Sequence, residues 1–142
     1  MKQVNDTTGT ESIFGPVISC YTRAEALADG VLVDVSTMAR EAGFSKPVAL
    51  THRVWQDCVA WTEDDNENQT YQDESGRLWD VLFMAYMGIK QASGSGSQLL
   101  FRLHCVPRDG CAKQAKEVTL KLIIGPGDQG EAVITVLLPD ED

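Results

Sequence analysis

Gly76-Arg77-Leu78-Trp79-Asp80-Val81-Leu82-Phe83-Met84-Ala85-Tyr86-Met87-Gly88-Ile89-Lys90-Gln91 is the stretch on which the rest of the chain turns. Leu78, Trp79, Val81, Leu82, Phe83, Met84, Tyr86, Met87 and Ile89 cover nearly the whole circumference of a helix. A helix apolar all round is usually buried, so residues 76–91 read as a central core helix. Ser93-Gly94-Ser95-Gly96-Ser97 follows as a flexible connector. Beyond it the period changes from helical to twofold. Leu99, Phe101, Leu103 and Cys105 alternate with polar neighbours that include Arg102 and His104, and Val118, Leu120, Leu122 and Ile124 alternate with Glu117, Thr119 and Lys121. Ala132, Ile134, Val136 and Leu138 repeat the pattern. This is the signature of half-buried strands. Glycine-rich turns around Pro107-Arg108-Asp109-Gly110 and Gly125-Pro126-Gly127-Asp128-Gln129-Gly130 suit hairpins between them.

Working back towards the start, Thr51 can cap a helix on which Val54, Trp55, Cys58, Val59 and Trp61 form one apolar face. Pro47-Val48-Ala49-Leu50 leads into it. Ser36 can cap a short helix that ends at Gly43, and Val31-Leu32-Val33-Asp34-Val35 has the β-rich composition of a short strand. Thr22-Arg23-Ala24-Glu25 fits a capping box that opens another helix, stopped at Asp29-Gly30. Ile13-Phe14-Gly15-Pro16-Val17-Ile18 lacks helical spacing and reads as an extended apolar arm, while residues 1–12 read as a disordered lead-in. The expected architecture is one α+β domain over 13–142. N-terminal helices pack on one face of a mainly C-terminal antiparallel sheet of three strands, with Val31–Val35 as a possible fourth.

The 142 residues suit a single domain. With 12 basic against 21 acidic residues, the formal charge of -9 opposes direct binding to nucleic acid, which needs a Lys/Arg patch, or to an anionic membrane. Acidity often serves only solubility. The polar residues 1–11 do not form a secretory leader, and no run approaches the roughly 18 apolar residues of a spanning helix. Cys20, Cys58, Cys105 and Cys111 are scattered rather than arranged as a secreted disulfide framework. Together these features point to the cytoplasm, with reduced thiols.

No catalytic set emerges, and no metal or cofactor is expected. His104, Cys105 and Cys111 flank one turn without the ligand spacing of a zinc knuckle, and alternation puts His104 and Cys105 on opposite faces of a strand. A Cys105–Cys111 disulfide needs a pairing that brings the two together. Cys58 with His52 as base is poorly matched, because neighbours on a helix are three or four apart. The glycine-rich segment 125–130 lacks the Lys-Ser/Thr of a phosphate loop and precedes a strand. The strongest asymmetry of charge runs from Asp57 to Glu74, with seven acids and no Lys or Arg. Residues 63–67 lack the ligand pattern of a calcium loop and read as a solvated loop. Glu63, Asp64, Asp65, Glu67, Asp73 and Glu74 are therefore candidates for an acidic partner-binding surface.

Phe14-Gly15-Pro16-Val17-Ile18, Ala28-Asp29-Gly30-Val31-Leu32-Val33-Asp34-Val35, Pro47-Val48-Ala49-Leu50-Thr51 with Val54-Trp55, and Gly76-Arg77-Leu78-Trp79-Asp80-Val81-Leu82 together resemble a family of small uncharacterised proteins. That family, a domain of unknown function, is carried on plasmids and integrative elements of proteobacteria. The resemblance covers about residues 13–138. It implies an accessory role on a mobile element and brings no catalytic residues. Asp34 and Asp80 within these segments are explained equally well by helix capping and by an Arg77/Asp80 pair. The leading expectation is a protein-binding accessory protein, in a more specific form a host-defence inhibitor of anti-CRISPR or antirestriction type. In that form an acidic surface occupies the nucleic-acid site of a basic effector. The alternatives are a small enzyme with His52, His104, Asp34 and Asp80 around a cleft between the central helix and the sheet, or a ligand-binding module. The oligomeric state is not legible in the sequence.

Overall fold

The computed structural model describes residues 21–92 and 96–141. The expected lead-in at 1–12 and the apolar arm at 13–18 lie outside the described residues. In chain order the elements are α1 (Arg23–Asp29), β1 (Leu32–Asp34), α2 (Ser36–Ala42), β2 (Val48–Thr51), α3 (His52–Val54) continuing into a π-helical turn (Trp55–Val59), α4 (Glu63–Asn68), α5 (Glu74–Gln91), β3 (Gln98–Cys105), β4 (Lys116–Pro126) and β5 (Ala132–Leu137). The fold is α+β.

Among the described residues the strands form one five-stranded mixed sheet in the order β1-β2-β5-β4-β3. The antiparallel meander β3-β4-β5 and the fourth strand near Val33 follow the sequence reading. The expected three- to four-stranded antiparallel sheet is incomplete, because β2 enters beside β5 and runs parallel to it, Val48 opposite Ile134 and Leu50 opposite Val136. Val48, Ala49 and Leu50 are all buried. A strand covered on both faces reads as an unbroken apolar run, not as an alternation. That is why its sequence resembled a mere approach to the next helix.

Alternation divides the sheet into two unlike faces. Val48, Leu50, Phe101, Leu103, Cys105, Leu120, Leu122, Ile134 and Val136 face the main core, where Val35, Ala39, Val54, Cys58, Val59, Leu78, Val81, Leu82 and Ala85 meet them. These partners come from α2, α3 with its π-turn, and α5. The expectation that all helices share that face is corrected by α1, which packs on the other. Its Arg23 Nη1 donates to Thr135 Oγ1 at 2.8 Å and its Nη2 to the Ile134 carbonyl at 2.9 Å. Asp128, in the β4–β5 hairpin, caps α1 from outside by accepting from the amides of Arg23 and Ala24. The capping box read from sequence is present, with Thr22 Oγ1 accepting from Glu25 and Glu25 from Thr22.

The central helix also departs from its expected all-round burial. Asp73 caps it through the amide of Gly76 at 2.6 Å, and Leu78, Val81, Leu82 and Ala85 point inwards. Trp79, Phe83 and Met84 do not, remaining 38, 43 and 37% exposed. Trp79 and Phe83, four residues apart, stack at 6.3 Å on the outer side. Residues 63–68, expected as a loop, form a helical turn instead. Thr62 and Asp65 make a second capping box there, and acids in a first turn suit the positive end of the helix dipole. Among the described residues no helix is long and apolar enough to cross a membrane.

Candidate functional site

The acidic segment is held in place by side chains rather than by a hydrophobic face of its own. Asn66 Oδ1 accepts from Trp61 Nε1 and from the Gln72 amide, both at 2.7 Å, and so closes the segment on itself. Gln69 is buried. Its Nε2 donates to the carbonyls of Pro107 (2.7 Å) and Ala112 (2.6 Å), and its Oε1 accepts from the Gly110 amide at 3.1 Å. One amide thus ties the segment to the β3–β4 loop. Arg108, on that loop, donates through Nε to Asp65 Oδ2 at 2.7 Å.

Of the six acids singled out from sequence, Glu63, Asp64, Glu67, Asp73 and Glu74 are exposed, with Tyr71 80% exposed among them. Glu74 also accepts from the Trp61 amide and Asp73 serves as the cap of α5. Asp65 is different in kind, since it faces Thr62 and Arg108. Partial burial works to raise its carboxyl, but hydrogen bonds from Thr62 and Arg108 outweigh this and hold it below the ordinary carboxylate range.

Beneath the segment lies a group that sequence reasoning missed. Arg77, 4% exposed, points into the core. Its Nε donates to the Val59 carbonyl (3.0 Å), Nη1 to the Val106 carbonyl (3.0 Å) and Gln72 Oε1 (2.7 Å), and Nη2 to the Asp57 carbonyl (3.4 Å). Trp61 covers the guanidinium face. Among the described residues no carboxylate pairs with it, so the expected Arg77/Asp80 pair is not formed. The signal was available: position 77 shares a helix face with Val81, four residues on, and adjoins Leu78.

The sharper chemistries do not converge. His52 and His104 are exposed, and Asp34, two residues before α2 begins, accepts from the amide and hydroxyl of Ser36, while Val35 stands at the cap position itself without a side-chain cap bond. Burial raises the Asp80 carboxyl. Cys105 is buried and Cys111 exposed, both free. Among the described residues no cluster of His, Cys, Asp and Glu suits a metal ion. Cys58 and Cys105 are both buried in the main core.

Among the described residues, four of the best-formed depressions each hold at most one of His52, His104, Asp34 and Asp80. One of them, about 700 Å³, is a mainly apolar groove on the sheet face that carries α1. Ala26, Val31, Leu32, Ile123 and Leu137 line it, with Tyr21, His52 and Glu141 among its polar groups. A smaller depression of about 590 Å³ lies between α5 and the edge strand β3, around Met84, Gly88, Leu100 and Arg102.

Comparison with curated proteins finds no match, and neither does comparison with solved structures. A family model does match, over residues 11–142, and so takes in every described element from α1 to β5. The chain belongs to the family of unknown function DUF6573.

Proposed function

We propose that this chain works in the cytoplasm as a non-enzymatic accessory protein of a mobile element and binds another protein through the acidic segment 63–74. The observation that carries this reading is the way the segment is fixed. Glu63, Asp64, Glu67, Asp73 and Glu74 are exposed on a frame tied down through Gln69, Asn66 and Arg108. A charged surface already ordered before binding loses less entropy on association. Its partner is a basic protein of the kind that holds nucleic acid, and in the most specific form a host-defence effector whose nucleic-acid site is blocked. The resemblance to mobile-element proteins and the net charge of -9 support that form.

The experiment is a pull-down from host cells with the wild type beside the triple variant Glu63→Lys, Asp64→Lys, Glu67→Lys. Asp65 is left in place, because reversing it would also break its contact with Arg108. Capture of a basic protein by the wild type, lost in the variant and weakened by salt, is the expected result. Capture that survives both charge reversal and high salt would end this reading.

The groove between α1 and the C-terminal residues favours a second reading, a module that holds a small apolar molecule. An apolar fluorescent dye bound by the wild type and rejected by Ile123→Glu would support it. Equal binding by both would exclude it.

A further inference from the structure

We propose that the outer edge of β3, beside α5, is a docking site for an extended peptide of alternating apolar and acidic residues, which adds to the sheet as a further strand. The first support is the backbone. β3 stands at one end of the strand order, and among the described residues no strand pairs with its outer side. The Ile124 amide donates to the Ser97 carbonyl at 2.7 Å, so these two form a hydrogen-bonded pair. Such pairs alternate along an antiparallel ladder. Leu99, Phe101, Leu103 and Cys105 therefore turn their backbone groups to β4, while Gln98, Leu100, Arg102 and His104 turn theirs outwards.

Free edges are ordinarily blunted by shortness, by charge, by proline or by a bulge. β1, at the other end of the sheet, is three residues long and finishes in Asp34. β3 has eight residues and pairs with β4 residue for residue, with no bulge. It contains no proline, lysine or acid. This edge is open to a strand.

The second support is what lies to either side of it. Side chains of an added strand alternate between the two faces of the sheet. On the α5 face, the depression of about 590 Å³ between helix and strand is lined by Met84, Met87, Gly88 and Leu99. Gly88 lets the two lie close, since a Cβ there would stand 3.1 Å from that of Phe101. Apolar side chains suit this face, and methionine adapts to their shapes. On the opposite face Leu100 and Arg102 are exposed. Arg102 makes no ion pair among the described residues, and Glu117 of β4 stands opposite His104 instead. Residues 81–108 hold no Asp or Glu, although the chain has 21. A carboxylate beside Arg102 is thus attracted locally in a protein that is otherwise acidic. The backbone supplies affinity in strand addition, and the alternate side chains supply specificity.

The test titrates the full chain, isotope-labelled for amide NMR, with the synthetic peptide Val-Glu-Val-Glu-Val-Glu and with its neutral counterpart Val-Gln-Val-Gln-Val-Gln. Physiological salt screens the distant charges. The acidic peptide should bind about fivefold more tightly, the worth of one opposite-charge cross-strand pair. Arg102→Gln should abolish that preference. In the free chain the amides of Leu100, Arg102 and His104 should exchange faster than those of Leu99, Phe101 and Leu103, and peptide should slow them. Leu100→Pro removes an N–H that β4 does not use, so the fold should survive. Its binding should weaken about tenfold or more. Should that variant misfold, Arg102→Gln and the exchange pattern still decide. The proposal is overturned if neither peptide binds, if both bind equally, or if the outward amides are already protected in the free chain. That last result would mean that a second copy or another part of the chain covers the edge. Neither peptide carries a basic group for segment 63–74, so this inference and the proposed function can fail separately.

Discussion

The guanidinium of Arg77 lies 4.5 Å from the centre of the Trp61 ring while its nitrogens reach the carbonyls of Asp57, Val59 and Val106. A buried cation is tolerable only when its donors are satisfied, and here backbone oxygens and an aromatic face do that work. Arg77→Leu would leave those carbonyls without donors, at roughly 1–3 kcal/mol for each buried group. We expect a total loss of about 3 kcal/mol or more in urea unfolding. Arg77→Lys, which keeps the charge but loses the planar fork, should fall between this and wild type. Arg53→Ala, which breaks an exposed pair with Asp140, should cost less than about 1 kcal/mol. If Arg77→Leu and Arg53→Ala unfold at the same urea concentration, the buried cation is not structural.

Gln69 is the second fixed point. Its amide nitrogen serves two carbonyls and its oxygen one amide. Gln69→Leu should cost about 2 kcal/mol, the penalty of stranding buried backbone groups. Gln69→Glu is more telling. Facing two carbonyl oxygens out of water, a carboxyl there is favoured in its protonated form, so its folded-state pKa rises above the unfolded value. The variant's stability should then be greatest at low pH and fall as pH rises through the raised pKa. A flat difference from wild type between pH 4 and 7, in parallel denaturant titrations, would show that residue 69 is not held between those oxygens (the pH limits bracket roughly the range in which such a carboxyl titrates).

Asp65 carries the opposite sign. Its carboxyl is held below the ordinary range, so what it contributes is present above the unfolded value and lost as pH falls through the lower folded one. Asp65→Asn should lower stability at neutral pH by on the order of 1 kcal/mol, the usual worth of a helix cap. The gap should close in strong acid. Thermal melts of both proteins across acid and neutral pH would check this, and a gap that widens in acid contradicts the assignment.

How much of this was legible depended on how local each feature is. Thr22 and Glu25 are three residues apart, and their capping box could be read directly. The alternation of Leu99, Phe101, Leu103 and Cys105 is equally local, and so the meander was visible. Val48–Leu50 misled because double burial erases alternation, leaving too short a run to distinguish from a helix approach. For the site, the acids themselves were plain, but the inward turn of Asp65 depends on Arg108, 43 residues away. The reach of Arg77 to the carbonyls of Val59 and Val106, from two separate segments, likewise follows only from the tertiary fold. Contacts of that kind are properties of topology, which hydrophobic spacing along the chain does not encode.

Gly43 ends α2 with φ +121, and a Cβ there would stand 2.8 Å from the Tyr86 ring. Gly130 has φ +82 and open space around it. Both positions are strained for an L side chain, at about 1 kcal/mol or more. Only the first adds a collision with a ring that also packs edge-on against Phe44. Gly43→Ala should therefore destabilise clearly more than Gly130→Ala, and should shift the near-ultraviolet circular dichroism of the aromatic groups. Equal costs would mean that Tyr86 moves aside freely.

Leu82 and Phe83 are neighbours in sequence with opposite surroundings. Leu82 is fully buried among Val54, Val81 and the sheet, whereas Phe83 lies outside with Trp79. Leu82→Ala removes buried methyl groups and leaves a cavity, for a loss of about 2–5 kcal/mol. Phe83→Lys removes only a surface stack, in which aromatic pairing is worth roughly 0.5–1.5 kcal/mol. The second change should thus leave the midpoint of unfolding nearly in place. If Phe83→Lys proves as damaging as Leu82→Ala, then the outer side of α5 is covered in the native protein, and the helix is enclosed all round as its composition first suggested.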